Sequence, residues 1–386
     1  MKSSTKQILK NIGVNVCRFI LAATFLFSGF VKANDPLGTV YKLEDYLAAW
    51  GITGIPELFV LLVALALAFF EFGLGIYLLF GMRRKWTSRV AFAFMAVMTV
   101  LTIYIYIANP VTDCGCFGDA IILTNGQTLL KNIFLLAAAF VLLKWHEYER
   151  HLVKSSIYWI VSTISILAIM AYAVYCIYAL PVIDFRPYKV GTDIRKMLEV
   201  PEEQRPQFKV TIVYEKDGKT LELDIDDDDP DSTWHYVETK REMIKSADHN
   251  MMADFYIQED DFEITEDILA TDGYLFFLVA PILQTADEGG MDKYNDLYDY
   301  TQQNDMEFYC LTASDPEACS HWADYTGAEY IFYNSDERAL KTVVRANPGL
   351  VMIKDGIILK KWSNWNFPTP EEVEAIVKAN EKGIEE

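Results

Sequence analysis

Asp113-Cys114-Gly115-Cys116-Phe117-Gly118-Asp119 sets two thiols two residues apart in a polar break between apolar runs at 87–108 and 128–145. Cysteines at this spacing close a small, strained disulfide, and strain makes such a bond reducible and chemically useful. Gly115 supplies the backbone freedom for closure, because in an extended strand the two side chains would face opposite ways. The plain alternative is a tight loop with incidental thiols or a structural staple.

Working outward, the two flanking runs belong to a set of five, at 12–31, 56–80, 87–108, 128–145 and 156–180. Each has roughly the 20 residues that cross a hydrocarbon core about 30 Å thick. Lys2, Lys6 and Lys10 precede the first run as they would in a signal peptide. No small-x-small cleavage site follows, and four more runs do, so the first is expected to be a retained helix.

Lys and Arg beside the runs set the orientation. Lys2, Lys6 and Lys10, then Arg83, Arg84, Lys85 and Arg89, then Lys144, Arg150 and Lys154 fall at alternate ends, which are expected to be cytoplasmic. Residues 109–127 contain neither Lys nor Arg and are expected to face outward. With five spans, everything after the fifth shares that compartment. In a bacterial inner membrane this is the periplasm, where disulfides persist.

Charge divides the 386-residue chain in the same place. Residues 1–180 hold 14 Lys+Arg against 9 Asp+Glu, and the remainder holds 20 against 45. A membrane domain followed by an acidic, water-facing domain is expected. The clustered cations that nucleic acid requires are missing from the acidic half.

Two ionisable residues lie inside spans, where charge is costly and marks either packing or function. Arg18 and Glu71 lie at roughly 9 and 14 Å from the cytoplasmic side at 1.5 Å per residue, so antiparallel neighbours could bring them together. A buried ion pair fixing helix packing and a polar or quinone-reaching cavity are the two expectations. Gly73 and Gly75 would let another backbone approach. Residues 40–50, with Tyr41, Tyr46 and Trp50, read as a short amphipathic helix in the headgroup layer, or as a lid over a pocket at the membrane edge.

Arg18, Ser28-Gly29, Lys32, Glu71 with Gly75, and Cys114-Gly115-Cys116-Phe117-Gly118 together resemble the DoxX and MauE group over residues 10–146. The resemblance implies an α-helical membrane bundle of four helices, similar in outline to disulfide-forming enzymes of the vitamin K epoxide reductase type. It further implies quinone-linked oxidation of sulfur compounds, or maturation of disulfide-rich methylamine dehydrogenase. No span carries the Cys-x-x-Cys of that reductase, a departure from its pattern.

The expected organisation is a DoxX-like four-helix unit at 1–150, a fifth transmembrane helix at 151–181, a hairpin-and-helix linker at 182–268 and a soluble domain at 269–386. Cys176, near the outer end of the fifth helix, could approach the dithiol. Cys17 reads as a small buried hydrophobe.

In the linker, residues 209–214 and 220–225 alternate like strands about Lys216-Asp217-Gly218, a hairpin signal. The acidic run 226–229 lacks the spacing and glycine of a calcium loop; it is expected to be a solvated turn capping a helix at 232–244. From Gly273, strands at 274–280, 307–313, 330–333, 349–354 and 357–362 alternate with helices at 291–304, 316–325, 336–344 and 370–382. This order resembles a soluble α/β thioredoxin-like domain, with Asn347-Pro348-Gly349 where that family keeps a cis-proline. The thioredoxin dithiol position instead reads Ala280-Pro281-Ile282-Leu283. Cys310 and Cys319 are expected to be packing thiols more readily than a redox pair.

Two functions follow as expectations. In one, Cys114 and Cys116 exchange disulfides with a periplasmic protein or small thiol and pass electrons to a membrane quinone, with Arg18 and Glu71 as polar intramembrane groups and Lys32 and Cys176 as accessory groups. In the other, the protein is a non-enzymatic membrane scaffold whose redox-dead thioredoxin-like domain binds a periplasmic partner.

Overall fold

Apolar runs of this length satisfy their backbone polar groups internally, and helices result. The computed structural model describes residues 2–111, 113–198, 207–216, 219–224, 235–245, 255–259 and 262–384. It contains five helices long and apolar enough to cross a membrane. These are α1 (Lys2–Asn34), α3 (Glu57–Phe80), α4 (Arg84–Ala108), α5 (Asn125–Trp145) and α6 (Tyr158–Ala179), with the shorter α2 (Pro36–Ala49) between the first two. Leu62, Val97, Val100, Ile107, Leu130 and Leu167 remain exposed on their outer faces, as contact with a lipid bilayer requires.

Close approach of α1 and α3 is built on glycine. A Cβ on Gly29 would lie 2.4 Å from the Phe72 backbone nitrogen, and one on Gly75 would lie 2.7 Å from the Leu26 nitrogen. Helix α2 starts abruptly after α1 because Asp35 is its N-cap, accepting from the Gly38 N–H at 2.8 Å, and Pro36 occupies the first turn. The expected short helix at 40–50 therefore begins four residues earlier. Val40 packs on Val60 and Ala64 of α3.

After α7 (Ile194–Leu198), strands β1 (Gln207–Lys216), β2 (Lys219–Asp224) and β3 (His235–Lys245) form an antiparallel sheet in the order β2-β1-β3. The hairpin is as expected. Over the described part of the helix expected at 232–244, residues 235–244, the chain is instead strand β3, where register pairing along β1 overrides local preference. The acidic run at 226–229 lies outside the described residues.

The soluble domain contains β4 (Gln258–Glu259), β5 (Phe262–Glu263), α8 (Thr265–Leu269), β6 (Tyr274–Val279), α9 (Met291–Gln303), β7 (Glu307–Thr312), α10 (Pro316–Thr326), β8 (Ile331–Asn334), α11 (Glu337–Val343), β9 (Gly349–Lys354), β10 (Ile357–Ser363) and α12 (Pro370–Ile384). Sheet order is β10-β9-β6-β7-β8-β4-β5. Strand β6 pairs parallel with β7 and antiparallel with β9, and β7 is parallel to β8. This βαβαβαββα order is thioredoxin-like, and the Asn347–Pro348 peptide is cis.

Strand β6 is buried on both faces, as its unbroken apolar run demands. Leu275, Phe277 and Val279 join Leu340 and Val343 of α11 in one core; Phe276 and Leu278 join Tyr294, Leu297, Val373 and Val377 in the other. Tyr188, Ile194, Phe255 and Ile257 pack into the first of these cores, so segments before β6 are part of the same folded body.

Candidate functional site: a dithiol loop sunk into the helix bundle

Lys32 and Ser28 lie one turn apart on α1 and face α3 where the glycines bring the helices together. The Lys32 ammonium has three acceptors: Glu71 Oε2 at 2.8 Å, Ser28 Oγ at 2.7 Å and the Cys116 carbonyl at 2.9 Å. An ammonium has three N–H bonds to give, so this charge is fully satisfied inside the bundle. Ser28 donates to the same Cys116 carbonyl at 2.6 Å. Glu71 stands fourteen residues past Glu57 and nine before Phe80, placing the pair about 21 and 14 Å from the two ends of α3.

The dithiol loop descends to meet this pair. Phe117 packs edge-on against Phe27 of α1, with centroids 5.4 Å apart, and Lys131 of α5 lies 4.0 Å above its ring. Gly115 adopts φ +65°, and a Cβ there would lie 2.7 Å from the Lys42 side chain. Asp113 accepts from the Gly115 N–H at 2.8 Å and pairs with Lys42 at 2.8 Å. Tyr46 donates to the Cys114 carbonyl at 3.1 Å. The two sulfurs, both free thiols, are 2.8 Å apart.

Electrostatics separate the two thiols. Sharing a hydrogen bond with Cys114 holds Cys116 below the usual thiol value against its burial, with help from the Lys131 and Lys32 charges. The same hydrogen bond, then burial, pushes Cys114 up. Cys116 is thus the readier thiolate and Cys114 the proton donor.

A cavity of about 300 Å³ opens beside the loop. Cys114, Cys116, Lys32 and Glu71 line one part. Leu43 and Leu47 of α2, Val60, Val63 and Leu67 of α3, and Met98 and Leu101 of α4 line the remainder. Phe59 and Val63 on its wall are also exposed on the lipid-facing surface, at 58% and 42%.

Arg18 is not part of this site. It lies against Gly81 at the opposite end of the bundle, where it donates to the Arg150 carbonyl and faces Glu149. Arg18 and Lys32 are fourteen residues apart on one helix, and antiparallel packing gives Glu71 to Lys32, so the expected approach of Arg18 to Glu71 does not occur. Cys176 is buried and free, with Tyr172 and Val182 beside it rather than either loop thiol.

In the soluble domain, the segment after β6 reads Ala280-Pro281-Ile282-Leu283 and carries no thiol. Beyond β6, the Ile282 carbonyl accepts from the Asn347 side chain at 2.7 Å, and the Asp287 N–H donates to the Asn347 carbonyl at 2.9 Å. Cys310 is fully buried, with its thiol pushed up by burial, and Cys319 packs against the same core; both are free.

Sequence reasoning assigned no site role to Lys42, Asp113, Tyr46, Asp119, Lys131 and Arg345, although both aspartates flank the dithiol and Tyr46 lies on the short helix expected at the headgroups or over a pocket. The first five lie in or face the loop, and flanking carboxylates at 113 and 119 were the visible signal. Arg345 had none.

Comparison with known proteins finds the family model "Methylamine utilisation protein MauE" over residues 10–144. Residues 208–246 match the model of a domain of unknown function, DUF8463. No curated protein matches. Among solved structures, the "Solution structure of a putative protein disulfide isomerase from Bacteroides thetaiotaomicron" shares 16% identity with a TM-score of 0.26, covering 34% of this chain and 86% of that one. The soluble domain is thioredoxin-like by its strand order and pairing.

Proposed function

We propose that this membrane protein, whose residues 10–144 are of the MauE type, is a thiol-disulfide oxidoreductase in which Cys114 and Cys116 pass electrons to a membrane quinone. The observation that carries this is the placement of the dithiol on the wall of an apolar cavity with lipid-exposed side chains at its edge. A volume of about 300 Å³ suits a ring head group whose isoprenoid tail stays in lipid. Val60, Val63, Leu67, Met98 and Leu101 would hold such a ring.

A substrate thiolate attacks one sulfur of the Cys114–Cys116 disulfide, and a second substrate thiol displaces the mixed disulfide, leaving the substrate oxidised and the loop a dithiol. A bound quinone supplies a sink for the two electrons and two protons that the loop releases on closing its disulfide again. Once the loop is reduced, Cys116 is the thiolate that reacts with the quinone, favoured first by the hydrogen bond from Cys114 and then by Lys131 and Lys32, and Lys32 in turn is held by Glu71.

The distribution of Lys and Arg supports an inner-membrane orientation with the N-terminus cytoplasmic and the dithiol end and soluble domain in the periplasm. A periplasmic protein or small thiol is then the substrate. Absence of a thiol at residues 280–283 favours a docking role for the soluble domain, in line with the scaffold alternative, alongside chemistry at the membrane loop.

A photoreactive quinone tests the site. It should cross-link to the cavity segments of α2 and α3 and be competed by unmodified quinone; uncompeted labelling, or labelling elsewhere, would refute it.

A further inference from the structure

Both flanks of the dithiol loop are held by charge, and one of the two holds comes from the other domain. Lys42 of α2 takes Asp113. Asp119, three residues past Cys116, pairs with Arg345 at 3.3 Å, and the same guanidinium binds Asp35 at 3.0 Å. Arg345 is only 5% exposed. It follows α11, whose Lys341 lies 4.7 Å over the Tyr41 ring, and Arg345 itself lies 5.3 Å from that ring. Elsewhere Ser363 donates to the Tyr178 carbonyl at 2.5 Å, and Asn34 donates to the Ile183 carbonyl at 2.7 Å. Pro181, Ile183, Phe185 and Arg186 supply another wall of the cavity.

The wall at 181–186 is tied to the soluble domain, Arg186 donating to the Thr342 carbonyl at 3.2 Å and Lys361 pairing with Asp184 at 2.6 Å. Arg345 clasps Asp35 and Asp119 on the cavity's rim, while lipid-facing residues border the other side. We propose that the soluble domain is a cap over the dithiol, with Arg345 a positioning residue: a water-borne thiol reaches Cys116 only when Arg345 leaves Asp35 and Asp119. The inference rests on Cys114 and Cys116 being the reacting pair, and it adds that docking of the second domain governs which phase they face. With the clasp closed they meet a lipid-soluble acceptor. With it open they meet a thiol.

The test uses the full chain in lipid nanodiscs with the dithiol reduced, following alkylation of Cys114 and Cys116 by mass spectrometry. A membrane-permeant maleimide is compared with a charged, impermeant one. In the wild type the impermeant reagent should lag. Arg345→Met should raise its rate by roughly 10- to 100-fold, as loss of one member of a buried charge pair shifts an equilibrium, and leave the permeant rate nearly unchanged. Arg345→Lys should restore part of the lag, and Arg338→Ala, which breaks only an exposed pair with Asp45, should keep it whole. An unchanged impermeant rate in Arg345→Met overturns the cap. A rise with both reagents alike marks a loosened bundle and also counts against it. Because alkylation reads access alone, a protein that shows the Arg345 effect yet never reduces quinone would refute the redox function and keep the cap.

Discussion

Lys32 and Glu71 meet 2.8 Å apart deep within the helix bundle, and the cation of this pair also holds the carbonyl of Cys116. Structure and chemistry are joined there, because the ion pair that locks α1 to α3 also fixes the dithiol. Removing one partner leaves the other charge buried and unpaired, at a cost of about 3–5 kcal/mol. Lys32→Met and Glu71→Gln should each destabilise the bundle strongly in detergent unfolding. Lys32→Met combined with Glu71→Leu should recover most of that loss while releasing the loop. A double variant no more stable than either single one would show that the pair is not the lock.

Reactivity of the dithiol should follow the causes that separate its two thiols. The hydrogen bond from Cys114 is the largest influence lowering Cys116, and Lys131 follows. The alkylation midpoint of Cys116 should lie below the ~8.5 of an ordinary cysteine. Cys114→Ala should move it up furthest, and Lys131→Met by less. Equal midpoints in all three proteins would remove the electrostatic account of the nucleophile.

Glycine packing should show position dependence along α1. A side chain at Gly29 meets the α3 backbone, whereas Gly13 has nothing within 4 Å. Gly29→Val should separate α1 from α3 and lower the melting temperature, and Gly13→Val should not. In the loop, Gly115→Ala should cost about 1–2 kcal/mol for the left-handed backbone alone, plus displacement of the Lys42 side chain.

At the opposite end of the bundle, burial raises the Glu149 carboxyl to about 7 despite Arg18 and Arg84 nearby. Its folded value exceeds its unfolded one, so the folded state binds the proton more tightly between them. Stability should fall as pH rises from about 4.5 to about 7, then level off. Glu149→Gln should flatten that interval in a thermal-melt series, and an unchanged slope would assign the dependence to another group.

The five spans were legible because no alternative buries so many consecutive apolar residues, and β6 and β9 because a strand buried on both faces leaves an unbroken run. Residues 235–244 form a strand rather than the expected helix because pairing with β1 decides the matter. Arg18 and Glu71 were placed by depth alone; depth says nothing of which helix face turns inward, and Lys32 held the competing position. The Asp35–Arg345 pair joins residues 310 apart, a distance across which sequence periodicity carries no signal.

The most direct test of the central claim is a single turnover. Reduced full-length protein in nanodiscs is mixed with excess quinone, and quinol and the Cys114–Cys116 disulfide are measured in one sample. One quinol per disulfide formed, and neither product in Cys116→Ser, is the predicted result. Quinol formed with the dithiol still reduced, or a disulfide formed without quinol, would contradict it.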